Sequence, residues 1–189
     1  MLQLKNQIRY ILPLWFVLLI TNWLPDNRVS IRLRGFLASP FFKKCGKGLE
    51  LGRDLTFLNS NNIEIGSNVY IAKGTWLNGL GGLMIEDEVV MAPYVTISTM
   101  QHVFKDQSVR FGGSVPGKVV IKKGTWLASH VAVKCGVSIG RGSIVGANAF
   151  VVKDIDDNSI YGGVPAKFIK KNEDSDFSYA NAEEVLKNM

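Results

Sequence analysis

Cysteine and histidine are both scarce in this chain, with two of each among 189 residues. Cys45 and Cys135 lie in unlike surroundings and form no CxxC spacing, so the sequence indicates neither a disulfide framework nor a cysteine metal site. This usage fits a reducing compartment, and we expect a cytoplasmic protein. A chain of this length is expected to form one compact domain with an appendage at each end.

Acidic residues are few at the start of the chain: residues 1–53 hold two Asp or Glu against nine Lys or Arg. The basic residues are Lys5, Arg9, Arg28, Arg32, Arg34, Lys43, Lys44, Lys47 and Arg53. Such a surplus suits anionic lipid, nucleic acid or a phosphorylated substrate. Because it brackets an apolar run, residues 10–24, we favour lipid over nucleic acid.

That apolar run is only about 15 residues long and contains Pro13, whereas a membrane-spanning helix needs roughly 20 apolar residues. We expect a helix or helix pair that lies on a membrane face. A signal peptide is a weaker alternative, because no small-residue cleavage site precedes Pro25 and Arg28. A helix buried against the body of the protein or against a neighbouring subunit is the third possibility.

Hairpin signals and period-two alternation are missing, which argues against a β-sandwich. Instead, aliphatic residues recur every six positions, and they are Ile121, Leu127, Val133, Ile139, Val145 and Val151. The same spacing occurs in residues 65–77 and 85–97. A period of six fits neither an α-helix nor one long strand. It predicts short strands separated by corners, three to a coil of about 18 residues, stacked as parallel sheets.

The repeat divides the chain into three parts. Paired aliphatic residues begin new coils near residues 49, 63, 83 and 119, so we expect the coiled domain to span 49–171. A basic, apolar helical segment (1–48) precedes it, and an acidic tail (172–189), with a short helix over 180–186, follows it. The repeat stops at 98–118, which predicts a functional excursion loop, and this loop contains His102.

Four segments carry a resemblance to a known family: GTWLASHV at 124–131, GVSIG at 136–140, VGANA at 145–149 and GGVPAK at 162–167. Over roughly residues 50 to 171 the chain resembles the hexapeptide acyltransferases. It is similar to galactoside and maltose O-acetyltransferases and to colanic-acid, capsule and O-antigen acetyltransferases. The resemblance implies a left-handed parallel β-helix, a homotrimer with active sites between neighbouring coils, and acetyl-CoA lying along the groove.

The resemblance also implies the residues of the reaction centre. His102 matches the catalytic base, and an imidazole, with a reference pKa of about 6.5, suits that task near neutral pH. Ser129, through its backbone N–H, would stabilise the oxyanion, beside Ala128. Trp126 would pack on the pantetheine arm or shape the acceptor pocket, or else be only an aromatic residue at a coil edge. His130 is expected to be structural.

The nucleotide end of coenzyme A carries phosphates, which basic residues bind. The family's basic residues at this end are matched by Lys167, Lys170 and, more weakly, Lys153, although any of them could be an ordinary surface lysine. Gly146 and Ala147 keep side chains short where the cofactor would meet the backbone. No metal is expected.

The acceptor is less defined, with Asn78 and Trp126 as candidates. Val103 replaces an Asp of many polysaccharide-type members, and Ala72 replaces the sugar-binding Asn of the galactoside type. We expect an O-acetyltransferase that acts on a sugar or glycan hydroxyl in bacterial surface polysaccharide synthesis.

Other classes remain open to different degrees. A γ-type carbonic anhydrase needs three histidines, and this chain has two. Serine acetyltransferase has a large helical N-terminal domain that is missing here. An antibiotic acetyltransferase or a non-catalytic trimeric scaffold remains an alternative, although a scaffold would need neither the histidine loop nor the basic cofactor end.

Overall fold

The computed structural model describes residues 2–173, and the predicted C-terminal helix at 180–186 lies outside them. The chain begins with α1 (Leu2–Asn6), a π-helical turn (Gln7–Ile11), α2 (Leu12–Thr21) and α3 (Arg28–Ala38), followed by a 3-10 turn (Ser39–Phe41). Pro13 sits in the first turn of α2, where its missing N–H costs nothing. The Asn27 side chain caps α3 by accepting from Ser30 N at 2.9 Å. Within the described residues, none of the helices has both the length and the apolarity to cross a bilayer.

Short strands make up the remainder of the described chain. In chain order they are β1 (Lys44–Cys45), β2 (Glu50–Leu51), β3 (Thr56–Leu58), β4 (Ile63–Ile65), β5 (Tyr70–Ile71), β6 (Trp76–Asn78), β7 (Leu83–Ile85), β8 (Val90–Met91), β9 (Thr96–Ser98), β10 (Met100–His102), β11 (Ser114–Pro116), β12 (Val119–Ile121), β13 (Trp126–Leu127), β14 (Ala132–Val133), β15 (Ser138–Ile139), β16 (Ile144–Val145), β17 (Phe150–Val151), β18 (Ser159–Gly162) and β19 (Lys167–Lys171).

The strands form three parallel sheets, each forming one side of a triangular coil. Sheet A contains β1, β4, β7, β12 and β15; sheet B contains β2, β5, β8, β13, β16 and β18; sheet C contains β3, β6, β9, β14 and β17. Successive strands along the chain pass from A to B to C, and this cycle makes about six turns. The predicted all-β, left-handed parallel β-helix with an N-terminal helical segment is confirmed.

The six-residue repeat forms the axial core, because every predicted aliphatic position from Ile121 to Val151 is buried. Small polar residues fill some corners between these positions. Thr125 donates its hydroxyl to Gly140 O at 2.8 Å, and Ser143 donates to Asp156 O at 2.7 Å. The coil therefore buries these hydroxyls with partners, which avoids the cost of an unpaired polar group.

The first strand, β1, lies ahead of the predicted start of the coil at residue 49. Lys44 and Cys45 pair in parallel with Glu64 and Ile65. Cys45 takes the inward position that an aliphatic residue takes in later coils, and burial raises its thiol pKa to about 11. A thiol packs like a small hydrophobic residue, so the pattern of aliphatic residues did not reveal this strand.

The helices close the open N-terminal end of the coil. The Arg34 side chain on α3 is buried and donates to the carbonyls of Leu51, Thr21 and Leu24. Asp26 lies 3.2 Å from the same guanidinium. Gly35 is required one residue further on, because a Cβ there would overlap the carbonyl of Leu49. We call α1, the π-turn, α2 and α3 the N-terminal cap.

Candidate active site

The predicted excursion loop contains an antiparallel hairpin, in which β10 pairs with β11. His102 ends β10 and lies opposite Ser114. The His102 ring is exposed, and its Nδ1 lies 3.3 Å from Ser114 Oγ. The group beside this ring nitrogen is therefore a serine hydroxyl, rather than a backbone carbonyl or a carboxylate. The hydroxyl can hold the ring through Nδ1, and Nε2 has no hydrogen-bond partner within residues 2–173.

The hairpin leaves the third coil at the corner between sheets C and A and rests on the next coil. Gly117 N donates to Thr99 O at 2.9 Å, and Gly136 N donates to Gly117 O at 3.2 Å. Cys135 Sγ lies 3.7 Å from the side-chain carbonyl of Gln101, the neighbour of His102. The base of the hairpin is therefore held to the coil on both sides.

A second group of predicted residues lies at the corner between sheets B and C. Ala128 and Ser129 follow β13, and Gly146 and Ala147 follow β16, one coil further along. Ala128 is buried and donates to Val145 O at 2.9 Å. The N–H groups of Ser129 and Ala147 donate to no acceptor within residues 2–173. We call residues 128–129 and 146–147 the corner column.

Trp126 precedes this column on β13, and its side chain is 45% exposed. Its register neighbours are Val90 on one side and Ile144 on the other. The indole therefore stands on the outer face of sheet B between two aliphatic side chains. This position leaves a large apolar surface open beside the corner column.

His130 and Tyr94 form an exposed aromatic stack next to the corner column. Their ring centroids are 5.0 Å apart with an interplanar angle of 12°. Both residues have positive φ, 61° for His130 and 63° for Tyr94. The Tyr94 ring lies over Gly74, where a Cβ would overlap it. Sequence reasoning did not single out Tyr94, although its equivalence with His130 in successive coils was a usable signal.

The predicted lysines separate into two places. Lys167 and Lys170 lie exposed on β19, which pairs antiparallel with β18 at the C-terminal end of sheet B. The turn before β19 docks on β17, where Ala166 N donates to Phe150 O at 2.8 Å. This turn continues the corner column by one more coil. Lys153 is exposed after β17, at the corner between sheets C and A.

Asn78 ends β6 at the corner from which the hairpin emerges one coil later. Its Oδ1 accepts from Leu80 N at 3.0 Å and from Asn59 Nδ2 at 3.1 Å. Asn78 also pairs in register with Ser98, the last residue of β9 before the hairpin. The side-chain carbonyl of Asn78 thus holds a turn. Its side-chain N–H groups could donate to the substrate that accepts the acetyl group.

The structure does not bring all the predicted residues together in one chain. His102 belongs to one corner of the triangle and the corner column to another, with sheet C between them. No hydrogen bond or ion pair within the described chain joins the hairpin to the column. A large cavity of about 670 Å³ lies elsewhere, between α3 and residues 46–50, and it contains none of the predicted site residues. Over the same residues, no three or more His, Cys, Asp or Glu side chains gather as a metal site.

A left-handed β-helix of three-sided coils that projects a histidine on an excursion hairpin defines the class of hexapeptide-repeat acyltransferases. No protein-family model matches the chain. Galactoside O-acetyltransferase of Escherichia coli (strain K12) is 30% identical over 150 residues, which are 79% of this chain and 74% of that protein. A galactoside acetyltransferase solved in complex with coenzyme A has a TM-score of 0.78 and 27% identity, covering 90% of this chain and 84% of that one.

The fold also matches a hexapeptide-repeat-containing acetyltransferase of Vibrio cholerae O1 biovar eltor, solved in complex with acetyl coenzyme A. The TM-score is 0.74 at 23% identity, with 86% of both chains covered. The chain therefore belongs to the galactoside O-acetyltransferase family of hexapeptide-repeat enzymes, which use acetyl-CoA as acyl donor. The family predicted from the sequence is confirmed.

Proposed function

We propose that this protein transfers the acetyl group of acetyl-CoA to a sugar hydroxyl in bacterial surface polysaccharide synthesis, with His102 as general base. The main observation that supports this proposal is the exposed His102 ring, which lies on a hairpin anchored to the coil with Nδ1 beside Ser114 Oγ. The cytoplasmic location that the cysteine usage predicts is part of this proposal.

In this mechanism His102 Nε2 takes the proton of the acceptor hydroxyl as its oxygen attacks the thioester carbonyl carbon. A positioned base of this kind contributes about 10² to 10⁴-fold to the rate. The resulting oxyanion accepts from the N–H of Ser129, which has no acceptor within residues 2–173. The carbon–sulfur bond then breaks, and the coenzyme A thiolate takes the proton back from the imidazolium.

The corner column and β19 supply a path for the cofactor along the coil axis. A Cβ added at Gly146 would meet only Tyr161 O at 3.4 Å and Gly162 Cα at 3.7 Å, so packing within the chain does not demand a glycine there. A bare backbone at this point suits close approach of a pantetheine arm. Lys167 and Lys170, one coil beyond, suit the phosphates of the nucleotide end.

We propose that the active site is completed between copies in a homotrimer. The hairpin lies at the C-terminal ends of the sheet C strands, and the corner column lies at their N-terminal ends. A threefold arrangement with parallel coils would set the hairpin of one copy against the column of its neighbour. Acetyl-CoA would then lie between two chains, with Trp126 and Asn78 near the acceptor.

Calorimetric titration with acetyl-CoA tests the cofactor part without knowledge of the acceptor. We expect saturable binding, weakened roughly tenfold by Lys167→Glu because a charged contact to phosphate is lost. Lys47→Glu makes the same charge change at an exposed site in the first coil and should bind like wild type. The absence of binding to the folded wild-type protein would favour the scaffold alternative.

His102→Ala tests the base. We expect acetyl-CoA affinity to be unchanged and acetyl transfer to fall about 10² to 10⁴-fold. Transfer is followed by thiol release from acetyl-CoA with a panel of galactosides and other sugars. Wild-type rates from the alanine variant would show that another group removes the proton.

A further inference from the structure

The N-terminal cap exposes a stripe of large apolar side chains along α1, the π-turn, α2 and the turn that follows α2. Its members recur every three or four residues on one side, and they are Leu4, Ile8, Leu12, Trp15, Phe16, Leu19, Ile20 and Trp23. Trp23 is 88% exposed. Contiguous exposed patches of this kind mark interaction surfaces in folded proteins.

The opposite side of the same helix is already packed on the protein. Leu14 is buried, and Val17 and Leu18 lie against the core of the first coil. A helix that is apolar all round is normally covered on every side. The first coil covers only one side of α2, so the exposed stripe requires a second apolar environment.

Helix α3 extends the exposed surface with a stripe of its own. Val29, Leu33 and Phe36 are spaced by four and three residues, and all three are exposed. The buried Arg34 ties α3 to the end of α2 through Thr21 O and Leu24 O. The helices that carry the two stripes are therefore held together at the end of α2.

The charge on α1, the π-turn and α2 has one sign. Residues 2–25 contain no Asp or Glu. Lys5, Arg9 and Arg28 are exposed and form no ion pair within the described part of the chain. A groove of about 520 Å³ runs between Pro13 and Phe41, with Lys5 and Arg9 on its wall. Cations that flank an apolar face complement a bilayer surface with anionic phosphates.

We propose that the N-terminal cap docks on an anionic phospholipid bilayer, with α2 parallel to the membrane plane. The apolar stripe enters the interface between headgroups and acyl chains, and Lys5 and Arg9 meet lipid phosphates. Trp15 and Trp23 suit this position, because indole rings are enriched at the boundary between water and lipid.

The position of the cap on the coil sets the orientation of the whole protein. The cap covers the N-terminal end of the β-helix, and the stripe lies on the side of α2 opposite the residues packed against the core. In the proposed homotrimer three caps would share one end, and three weak contacts would act together. The docking surface itself is present in a single chain and does not depend on the acetyl-transfer proposal.

Vesicle sedimentation tests the proposal with the full chain. Wild type should bind vesicles of phosphatidylcholine mixed with phosphatidylglycerol and bind pure phosphatidylcholine more weakly. We expect a Trp15→Glu, Trp23→Glu double variant to lose binding, and a Lys5→Gln, Arg9→Gln double variant to bind the mixed vesicles roughly tenfold more weakly. Phe111→Glu alters an equally exposed aromatic residue on the hairpin and should bind like wild type.

Light scattering and acetyl-CoA titration of the same samples separate the other outcomes. The double tryptophan variant should keep the wild-type mass and cofactor affinity. A smaller mass for this variant, with no vesicle binding by wild type, would identify the stripe as a contact between subunits and overturn the proposal. Wild-type binding that is indifferent to anionic lipid and to the variants would also overturn it.

Discussion

Two glycines at successive corners of the same coil differ in what surrounds them. A Cβ on Gly140 would overlap the backbone of Asp156 and Asp157 in the next coil, whereas a Cβ on Gly146 would make only ordinary contacts. Neither glycine is among those with positive φ, so the contrast is one of space. The close approach of the next coil explains why residue 140 is a glycine. Packing within the chain does not require a glycine at 146, and its bare backbone would suit close contact with the cofactor.

We expect Gly140→Ala to lower the free energy of unfolding by about 1 to 3 kcal/mol, because the neighbouring coil must shift. Gly146→Ala should leave stability within about 0.5 kcal/mol and weaken acetyl-CoA binding. Chemical denaturation and calorimetry measure the two quantities. A Gly146→Ala protein with unaltered acetyl-CoA affinity would remove this glycine from the cofactor path.

At the scale of elements, α3 depends on a buried cation. Arg34 is 1% exposed, and its guanidinium satisfies three backbone carbonyls as well as Asp26. Arg32, two residues earlier, is exposed and pairs with Glu50 at 2.7 Å. Both arginines therefore contact β2, Arg34 from a buried position and Arg32 from an exposed one.

Arg34→Met should destabilise the protein by about 3 kcal/mol or more, because buried carbonyls and Asp26 lose their partner. Arg32→Met should cost less than about 1 kcal/mol, as expected for an exposed pair. Urea denaturation followed by tryptophan fluorescence compares the two. Equal effects would mean that the guanidinium of Arg34 is not what holds the cap.

At the scale of the whole molecule, the proposed base and the proposed cofactor path lie at opposite ends of the sheet C strands. The His102 hairpin follows the C-terminal end of β9, and the corner column with β19 lies near the N-terminal ends of β14 and β17. In the proposed mechanism, a monomer would therefore hold His102 away from the bound acetyl-CoA. In the proposed homotrimer, each copy would contribute its hairpin to one site and its corner column to another.

Subunit mixing tests this arrangement. We choose two variants expected to be inactive, His102→Ala and Gly146→Leu, and co-express them with different affinity tags. Mixed trimers purified on both tags in turn should regain about one third of wild-type activity, because one site in three combines two intact halves. No recovery from stable mixed trimers would place both halves of the site within one chain.

The six-residue period was sufficient to predict the coil, its buried positions and the break at the hairpin, because each short strand contributes one inward side chain. The family resemblance identified His102 and the cofactor candidates, whose roles remain proposals. Cys45 concealed the first strand because a thiol replaced the aliphatic residue. The tertiary structure decided that Ser114 faces His102, that Tyr94 stacks on His130, and that Arg34 is buried. These contacts join residues a hairpin or a coil apart, so they depend on strand register and on the packing of the cap, which no local pattern encodes.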